Sequence, residues 1–437
     1  MLNSFRFILA GVIVLISSVS LSVEYYVDLI NGDDTAAGTS PNNPWKTLKR
    51  TTRKGELKPG DVVRLARGGV WREQLIPVSG ECGKPITYTS YNPTPNVNLP
   101  PPAIQSSLDR SKASDWKNIG DGLWETEGVE LDVGLLLFNE GKKWGVKKWN
   151  DERWKKSSDS RYAKSIGITR ELDFWYDEKS KKVILKCESN PGEKFNSIEL
   201  CLKKDIILSH LAHDVVYDGL WVRYGSAHGI AAGLTKNIVI RNCRISWIGG
   251  SLQYWRKDDI TGEILYPVRY GNGIEFWGET KNALVESNTV WQIYDAALTN
   301  QGRKGVQSGI CWRNNKVEKA EFSFEYWHAG ETRDIVFEGN VCRDAGFGWG
   351  HDQRPDINGA HLLFYENKAI TENFVVRNNT FINARNWTVR MENDWRKSLR
   401  IENNRIRSLP GVPVIRWITG MHEAFFDIDG FKALGFN

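Results

Sequence analysis

The sequence predicts an all-β fold in which a parallel β-helix solenoid carries an inserted β lobe, and three observations favour it. A six-residue segment recurs along the second half of the chain with asparagine at a fixed place, and a second strand-like segment precedes each copy. The 437 residues also include 40 glycines and 19 tryptophans, a composition typical of turn-rich β proteins. With 41% apolar residues, a chain of this length can bury a large core.

The recurring segment has an apolar, a charged, a small or amide, and another apolar residue. Its copies are IRNCRI (240–245), VESNTV (285–290), WRNNKV (312–317), FEGNVC (337–342), VRNNTF (376–381) and IENNRI (401–406). The fourth position of the copies is occupied by Cys243, Asn288, Asn315, Asn340, Asn379 and Asn404. These residues are separated by 45, 27, 25, 39 and 25 positions. Repeats of about 25 residues indicate a solenoid, and the consensus of leucine-rich repeats is absent. An asparagine column favours a β-helix, because asparagine tolerates the left-handed conformation and stacked amides bond along the axis.

The two long intervals predict coils with insertions, around Gln253–Arg269 and Gly346–Asn358, and long loops over a rigid solenoid often carry function. The strand-like segments are expected to stack about 4.8 Å apart as a parallel sheet. They span 228–232, 273–277, 296–300, 322–327, 361–367 and 388–393.

The alternation of side chains sets the register of this sheet. If Ile274, Phe324 and Val389 point into the core, the outward residues are Glu275, Glu325 and Arg390, with Trp277, Trp327 and Glu392 beside them. A slip by one residue would bury two glutamates and an arginine without visible partners, so the stated register is preferred.

The chain divides into five parts: a signal peptide at 1–22, an N-terminal cap with the first coils at 23–106, an inserted β-rich lobe at 107–205, β-helix repeats at 206–409, and a C-terminal coil and cap at 410–437. Residues 1–22 combine Arg6, an apolar run and small serines, as in a cleaved signal peptide. The alternative is a membrane anchor, but the apolar run is shorter than the ~20 residues of a spanning helix. We therefore expect a secreted, periplasmic or cell-envelope monomer, with no stable membrane insertion after cleavage.

Export permits disulfides, and Cys187 and Cys201 flank a plausible hairpin, which makes them the candidate pair. The alternative is two separate buried thiols. Cys243, Cys311 and Cys342 lie within the repeats and are expected in the core. Lysine and arginine are spread among aspartate and glutamate, so the net charge of +5 gives no support to a nucleic-acid partner.

Several stretches resemble secreted right-handed parallel β-helix proteins of the pectate-lyase-like superfamily. The resemblance rests on YYVDLINGDD (25–34), LKPGDVVRLARGGVWR (57–72), VRYGNGIEFW (268–277), YDAALTNQG (294–302) and GFGWGHDQRPDINGAHLLFYEN (346–367). It implies a fold and a polysaccharide substrate, while the superfamily includes hydrolases, lyases and epimerases. The clustered acidic calcium ligands of pectate lyases have no match here, so we expect no cofactor, and calcium is the one ion that the resemblance leaves open.

Three acidic residues fall on successive coils and suit glycoside hydrolysis, which needs a carboxylic acid and a second carboxylate. They are Glu275, Asp295 and Glu325. Glu275 and Glu325 are expected two coils apart, roughly 9.6 Å at the backbone, with Asp295 one coil from each. The alternative is that these acids pair with arginine or lysine on a solvated face.

β-Elimination on a uronate would instead use cationic groups and a base, and the sequence offers His351, Arg354, His361 and Arg390. The alternative for this loop is internal pairing of Arg354 with Asp352 or Asp356. A metal site made of His351, Asp352, Asp356 and His361 has a spacing that fits no strong signature.

Further residues are predicted to bind substrate. RYGSAHGI (223–230) and RYGNGI (269–274) align His228 with Asn272, and Asp295 is expected to follow in the same row. Aromatic faces that suit a pyranose are provided by Trp277, Tyr326, Trp327 and Trp349, although core packing is the alternative for each. His328 and Glu392 complete the predicted set.

The hypothesis favoured by these patterns is an enzyme that cleaves a complex, acidic polysaccharide in a groove along the strands, with hydrolysis preferred because carboxylates occupy the central coils. The rival is a non-catalytic glycan-binding or envelope protein. A catalytic site should gather Glu275, Asp295, Glu325 and His361 within reach of one sugar, whereas a binding protein should spread its aromatic residues over several coils.

Overall fold

The computed structural model describes residues 22–53, 55–150, 166–354, 358–365 and 369–436. The predicted signal peptide at 1–22 lies outside the described residues except for its last residue. The predicted fold class, an all-β right-handed parallel β-helix with an inserted β lobe, is confirmed. Within the described ranges, no helix has the length and apolar character needed to cross a membrane.

Three stacks of parallel strands, called sheets 1, 2 and 3 below, form the walls of the solenoid. Sheet 1 contains Ile207–His210, Ala360–Phe364, Trp387–Glu392 and Ile415–Thr419. Sheet 2 contains Glu24–Val27, Val62–Ala66, Ile86–Tyr91, His213–Asp218, Val306–Arg313, Glu331–Glu338, Thr371–Arg377 and Leu399–Glu402. Sheet 3 contains Val70–Trp71, Ala103–Gln105, Trp221–Gly225, Arg244–Ile248, Val341–Arg343, Thr380–Ile382 and Arg405–Arg407.

Four long strands bend at the corners of the solenoid and belong to two sheets each. Ile230–Arg241 and Ile274–Glu286 run from sheet 1 into sheet 2. Thr289–Gly302 and Lys316–His328 run from sheet 3 into sheet 1. Each coil therefore passes through sheets 1, 2 and 3 in that order and then begins the next coil.

Each coil buries one face of every strand against its neighbours. The central inward row of sheet 1 is formed by Ile230, Ile274, Leu298, Phe324, Leu362, Val389 and Ile415. All of these side chains belong to one continuous apolar core. The predicted register is therefore confirmed, and Glu275, Glu325 and Arg390 point away from the core.

The asparagine column forms a ladder along the axis. Oδ1 of Asn315 accepts the backbone N–H of Asn288 at 3.0 Å, and Nδ2 of Asn315 donates to the carbonyl of Val285 and to Oδ1 of Asn340, both at 3.0 Å. The prediction that the ladder asparagine itself takes the left-handed conformation is wrong. The residue before it does so, at Asn242, Ser287, Asn314, Asn378 and Asn403. This turn directs the next side chain inward, where its amide satisfies backbone groups that water cannot reach.

We expect Asn340→Ala to destabilise the solenoid by about 3 kcal/mol or more, because each orphaned buried polar group costs about 1–3 kcal/mol. The substitution removes the acceptor of the Asn315 N–H and the donor to the Trp312 carbonyl. Chemical unfolding measures the loss. Asn404→Ala at the less buried end of the ladder is the control, and an equal loss there would contradict the role of burial.

The inserted lobe contains two small sheets. One holds Ser107–Asp109, Val133–Phe138, Lys143–Trp144 and Ile198–Leu202, and the other holds Lys117–Asn118, Leu123–Thr126, Val146–Lys147, Asp173–Asp177 and Lys182–Lys186. A short helix spans Pro191–Lys194. The lobe docks on the solenoid through an apolar cluster in which Leu135 and Cys201 meet Tyr294 and Trp349.

Both predicted insertions are present. The first is an antiparallel hairpin of Ser251–Lys257 and Ile264–Tyr270. The second, from Gly346 to Asn358, contains the short 3₁₀ helix His351–Gln353, and residues 355–357 lie outside the described residues. At the C-terminus, His422–Phe426 pairs antiparallel with the last strand of sheet 1, and the helix Ile428–Ala433 buries Phe431 against the core.

The cysteines are all free thiols. Cys187 lies in the core of the lobe and Cys201 lies where the lobe meets the solenoid, so the predicted pair is not bonded and the alternative of separate buried thiols holds. Cys243 and Cys342 belong to the solenoid core, as predicted, whereas Cys311 is only half-buried.

Candidate active site

Carboxylates collect on the outward face of sheet 1. Glu275, Thr299 and Glu325 occupy the same row on three consecutive coils. Although both glutamates point away from the core, Glu275 is only 4% exposed and Glu325 only 6%. The acidic cluster, defined as Glu275, Asp295, Glu321 and Glu325, is therefore set into the face of the sheet rather than spread over a solvated surface.

Glu325 is the member of the acidic cluster with the most strongly altered protonation. Its Oε2 accepts hydrogen bonds from Nε2 of Gln301 at 2.7 Å and from the hydroxyl of Thr299 at 3.4 Å. Burial and then the negative charge of Asp295 raise the pKa of Glu325 to about 8, against the opposing effects of Gln301 and Arg354. Glu325 therefore carries a proton at neutral pH and can donate it.

Asp295 is held in a different environment. Nη1 of Arg354 donates to Oδ1 of Asp295 and to the carbonyl of Tyr294, both at 3.1 Å. The Asp295 side chain is 19% exposed, more than those of Glu275 and Glu321. The guanidinium of Arg354 fixes this carboxylate beside Glu325, in a place where Asp295 can act as a base or nucleophile.

Glu321 is a member of the site that the sequence analysis missed. Its carboxylate pairs with Nδ1 of His351 at 2.9 Å, accepts the backbone N–H of Asn358 at 3.2 Å, and lies 3.9 Å from Nε of Arg354. These bonds anchor both ends of the Gly346–Asn358 insertion to sheet 1. The alternative of internal pairing does not hold for Asp352, because Arg354 turns to the acidic cluster and Asp352 pairs with Arg385, while Asp356 lies outside the described residues.

Glu275 is oriented by the neighbouring coil. Nδ2 of Asn272 donates to Oε2 of Glu275 at 2.7 Å, and Nδ1 of His228 lies 3.5 Å from the same oxygen. Because Nδ1 of His228 accepts the backbone N–H of Asn272, that nitrogen carries no proton and the contact is not an ion pair. His228 and Asn272 share a row, as predicted, but the next residue in that row is Ala296, so the predicted place of Asp295 is wrong by one residue.

Aromatic rings lie on one side of the acidic cluster. Trp277 and Trp327 lie on the outward face with ring centroids 5.9 Å apart, and Trp327 is 36% exposed. Farther along the sheet, Arg390 donates to Glu392 at 2.8 Å and lies 5.7 Å from the ring of Tyr365. Burial and the charge of Glu325 raise the pKa of Tyr365, which keeps its phenol protonated.

For four residues the predicted role in the site is wrong, because their side chains are buried and serve packing. Tyr326 lies in the core with its hydroxyl bonded to Thr332, and His328 contacts the carbonyl of Gly305 through Nε2. Trp349 packs between the lobe and the solenoid. His361 bonds to the hydroxyl of Ser323 and to the carbonyl of Ile382. Burial lowers the pKa of His361 to about 3. A permanently neutral, fully buried imidazole cannot neutralise a substrate carboxylate.

One feature of the chain explains why Glu321 was not predicted as a site residue and why His361 was predicted as one. Phe322 lies in an outward cluster with Leu363, whereas Phe324 lies in the solenoid core, so strict alternation fails between them. The chain turns from sheet 3 into sheet 1 at this point, which directs Glu321 to the site and His361 to the interior. The acidic residue directly before the strand was the available signal.

Apart from the buried His361, the groups proposed for elimination have acidic or amide partners. His351 pairs with Glu321, Arg354 with Asp295, and Arg390 with Glu392 and Asn358. Across the described ranges, no group of three or more histidine, cysteine, aspartate or glutamate residues is arranged to hold a metal ion.

Comparison with known proteins gives a partial match and a shared architecture. No family model matches the chain. A lacto-N-biosidase of Bifidobacterium longum subsp. longum is 33% identical over 105 residues, which is 23% of this chain and 6% of that protein. Similar solved structures include a glycoside hydrolase (TM-score 0.48, 10% identity, covering 95% of this chain and 99% of that one) and the complex of XylC with xylose (TM-score 0.45, 12% identity, 90% and 71%). A third is the GH136 lacto-N-biosidase of Eubacterium ramulus (TM-score 0.40, 13% identity, 91% and 67%).

Proposed function

We propose that this protein is a glycoside hydrolase that cleaves a glycan over the acidic cluster on sheet 1. The observation that carries the proposal is the pair of unlike carboxyl groups, a protonated Glu325 beside an arginine-bound Asp295. Glycoside hydrolysis needs one carboxylic acid and a second carboxylate, and the raised pKa of Glu325 suits it to the role of the acid. The partial match to a lacto-N-biosidase is consistent with this chemistry.

In this proposal Glu325 protonates the oxygen of the leaving sugar. Asp295 attacks the anomeric carbon or activates a water molecule, and Arg354 holds its carboxylate in place. Asn272 orients Glu275, the second candidate for the base. Glu275 and Glu325 are separated by two coils, about 9.6 Å at the backbone, which suits inversion, whereas a covalent mechanism needs a closer pair.

Elimination is less well supported, because it would require Arg354 to leave Asp295 or Arg390 to leave Glu392 to bind a uronate. Hydrolysis uses the residues in the states in which the structure holds them.

A panel of acidic and neutral glycans tests the proposal. The chain from Val23 onward is incubated with each glycan while reducing ends and the ultraviolet absorbance of unsaturated uronates are followed together. New reducing ends without absorbance support hydrolysis, while absorbance that rises with them would mean elimination and overturn the assignment. Tight binding without any product, with Glu325→Gln altering only the affinity, would favour the non-catalytic alternative.

We expect Trp327→Ala to raise KM several-fold while kcat changes little, because an exposed indole beside the acidic cluster can stack on a sugar without touching the reacting bond. Initial rates over a range of glycan concentrations separate the two constants. Trp144→Ala is the matched control, since this lobe residue is 37% exposed and remote in sequence from sheet 1. A fall confined to kcat would contradict a stacking role.

A further inference from the structure

The outward side of sheet 3 carries a second surface of distinctive composition. A groove of about 690 Å³ is lined by Arg244, Trp291, Lys316 and Arg343, and Trp291 also lines an adjoining groove of about 440 Å³ toward the N-terminal coils. In the parallel register of sheet 3, the row that contains Lys316 continues to Arg405, and the row that contains Arg343 continues to Arg407. This sheet 3 groove lies on a different wall of the solenoid from the acidic cluster.

The cations of the sheet 3 groove are exposed and have no carboxylate partner among the described residues. None of Arg244, Lys316, Arg343, Arg405 and Arg407 forms an ion pair there. Sheet 2 provides the contrast, since three of its outward arginines are paired along the axis: Arg241 with Asp218, Arg313 with Glu286, and Arg377 with Glu338. The same solenoid thus neutralises its cations on sheet 2 and leaves them available on sheet 3.

Aromatic rings lie between these cations. The ring centroids of Trp221 and Trp291 are 6.3 Å apart, and both residues are half-buried with part of each ring accessible. The guanidinium groups of Arg223 and Arg244 lie 4.2 Å and 6.0 Å from the Trp221 ring. Guanidinium groups held on indole faces combine charge for carboxylates with flat apolar surface for sugar rings.

The spacing of charge favours a polysaccharide over a nucleic acid. Arg244 and Lys316 are two coils apart, about 9.6 Å, with Thr289 between them. The carboxylates of Glu318 and Glu140 also line the grooves. A nucleic-acid strand carries a phosphate about every 3.4 Å, which would meet a denser and purely basic surface. Sparse carboxylates along a chain of sugars match the observed pattern better.

We propose that the sheet 3 groove binds an acidic polysaccharide chain, separately from the acidic cluster on sheet 1. The occupant is a uronate-containing glycan whose carboxylates contact Arg244, Lys316 and Arg343 and whose sugar rings stack on Trp291. Such a surface holds the protein on a polyanionic polymer while sheet 1 remains open. The proposal does not depend on the activity assigned to sheet 1.

The test compares two triple variants that remove the same charge from different walls. Arg244→Gln/Lys316→Gln/Arg343→Gln alters sheet 3, and Arg241→Gln/Arg313→Gln/Arg377→Gln alters sheet 2. Retardation in gels that contain polygalacturonate, a neutral β-glucan or single-stranded DNA measures binding. We expect the sheet 3 variant to bind polygalacturonate at least about tenfold more weakly, while the sheet 2 variant stays close to the unmodified protein.

Equal losses in both triple variants would overturn the proposal, because net charge alone would then explain binding. DNA bound as tightly as polygalacturonate, with the same loss in the sheet 3 variant, would also overturn it in favour of a general polyanion surface. Trp291→Ala adds an independent readout, since a loss that persists at high salt supports stacking on sugars. Cleavage of short soluble glycans by the sheet 3 variant at the unmodified rate would place this binding outside the sheet 1 site, whereas a parallel loss of cleavage would contradict two separate surfaces.

Discussion

Glu325→Gln is expected to lower kcat by roughly 10²–10⁴-fold on a glycan that the unmodified protein hydrolyses, because general acid catalysis typically contributes that much. Glutamine keeps the shape of the side chain and the hydrogen bond from Gln301, but it has no proton to donate. KM should change little, because the substituted group acts in the transition state. Initial rates with purified variants measure both constants.

The leaving group separates the role of Glu325 from that of Asp295. An aryl glycoside with an acidic phenol needs no protonation to depart, so Glu325→Gln should lose far less activity on it than on a natural glycan. Asp295→Asn should lose activity on both substrates, because the attacking or activating group is gone. Glu338→Gln, which alters a carboxylate paired with Arg377 on sheet 2, is the control and should retain full activity. Equal losses on both substrates for Glu325→Gln would reverse the assignment.

The fold was predictable from the sequence because a solenoid repeats its physical constraints. Every coil needs an inward apolar strand and a turn that satisfies buried backbone, so the asparagine column appears at Asn288, Asn315 and Asn340 in a single sequence. The column alone did not show which residue takes the left-handed conformation. That position precedes the ladder and tolerates serine as well as asparagine, so it leaves a weaker pattern.

The central part of the site was predictable for the same reason, whereas its edges were not. Glu275 and Glu325 follow from alternation in a regular strand, and the structure places both on the outward face. Glu321 lies at a corner where alternation fails, and Arg354 reaches Asp295 from an insertion whose path depends on packing against the lobe. Contacts between segments far apart in sequence leave no periodic trace in either one.

The altered protonation of Glu325 should also appear in the pH dependence of stability. A carboxyl group with an ordinary pKa near 4.5 in the unfolded chain and about 8 in the folded protein binds a proton more tightly when folded. The raised pKa of Glu325 therefore contributes to the free energy of unfolding in full below about pH 5. This contribution is lost as pH rises through about 8. Because a tenfold change in equilibrium is about 1.4 kcal/mol, a rise of the pKa from 4.5 to about 8 makes this loss on the order of 5 kcal/mol.

We expect Glu325→Gln to leave stability nearly unchanged at about pH 5 and to make the protein more stable than the unmodified chain at about pH 9, since glutamine never ionises. Chemical unfolding at a series of pH values gives the difference between the two proteins, in which the titration of all other groups largely cancels. Glu338→Gln should show no such divergence, because this carboxylate is partly exposed and pairs with Arg377 on the outward face of sheet 2. Parallel curves for Glu325→Gln and the unmodified protein would mean that Glu325 is charged at neutral pH, and the role of proton donor would then pass from Glu325 to another carboxyl of the acidic cluster.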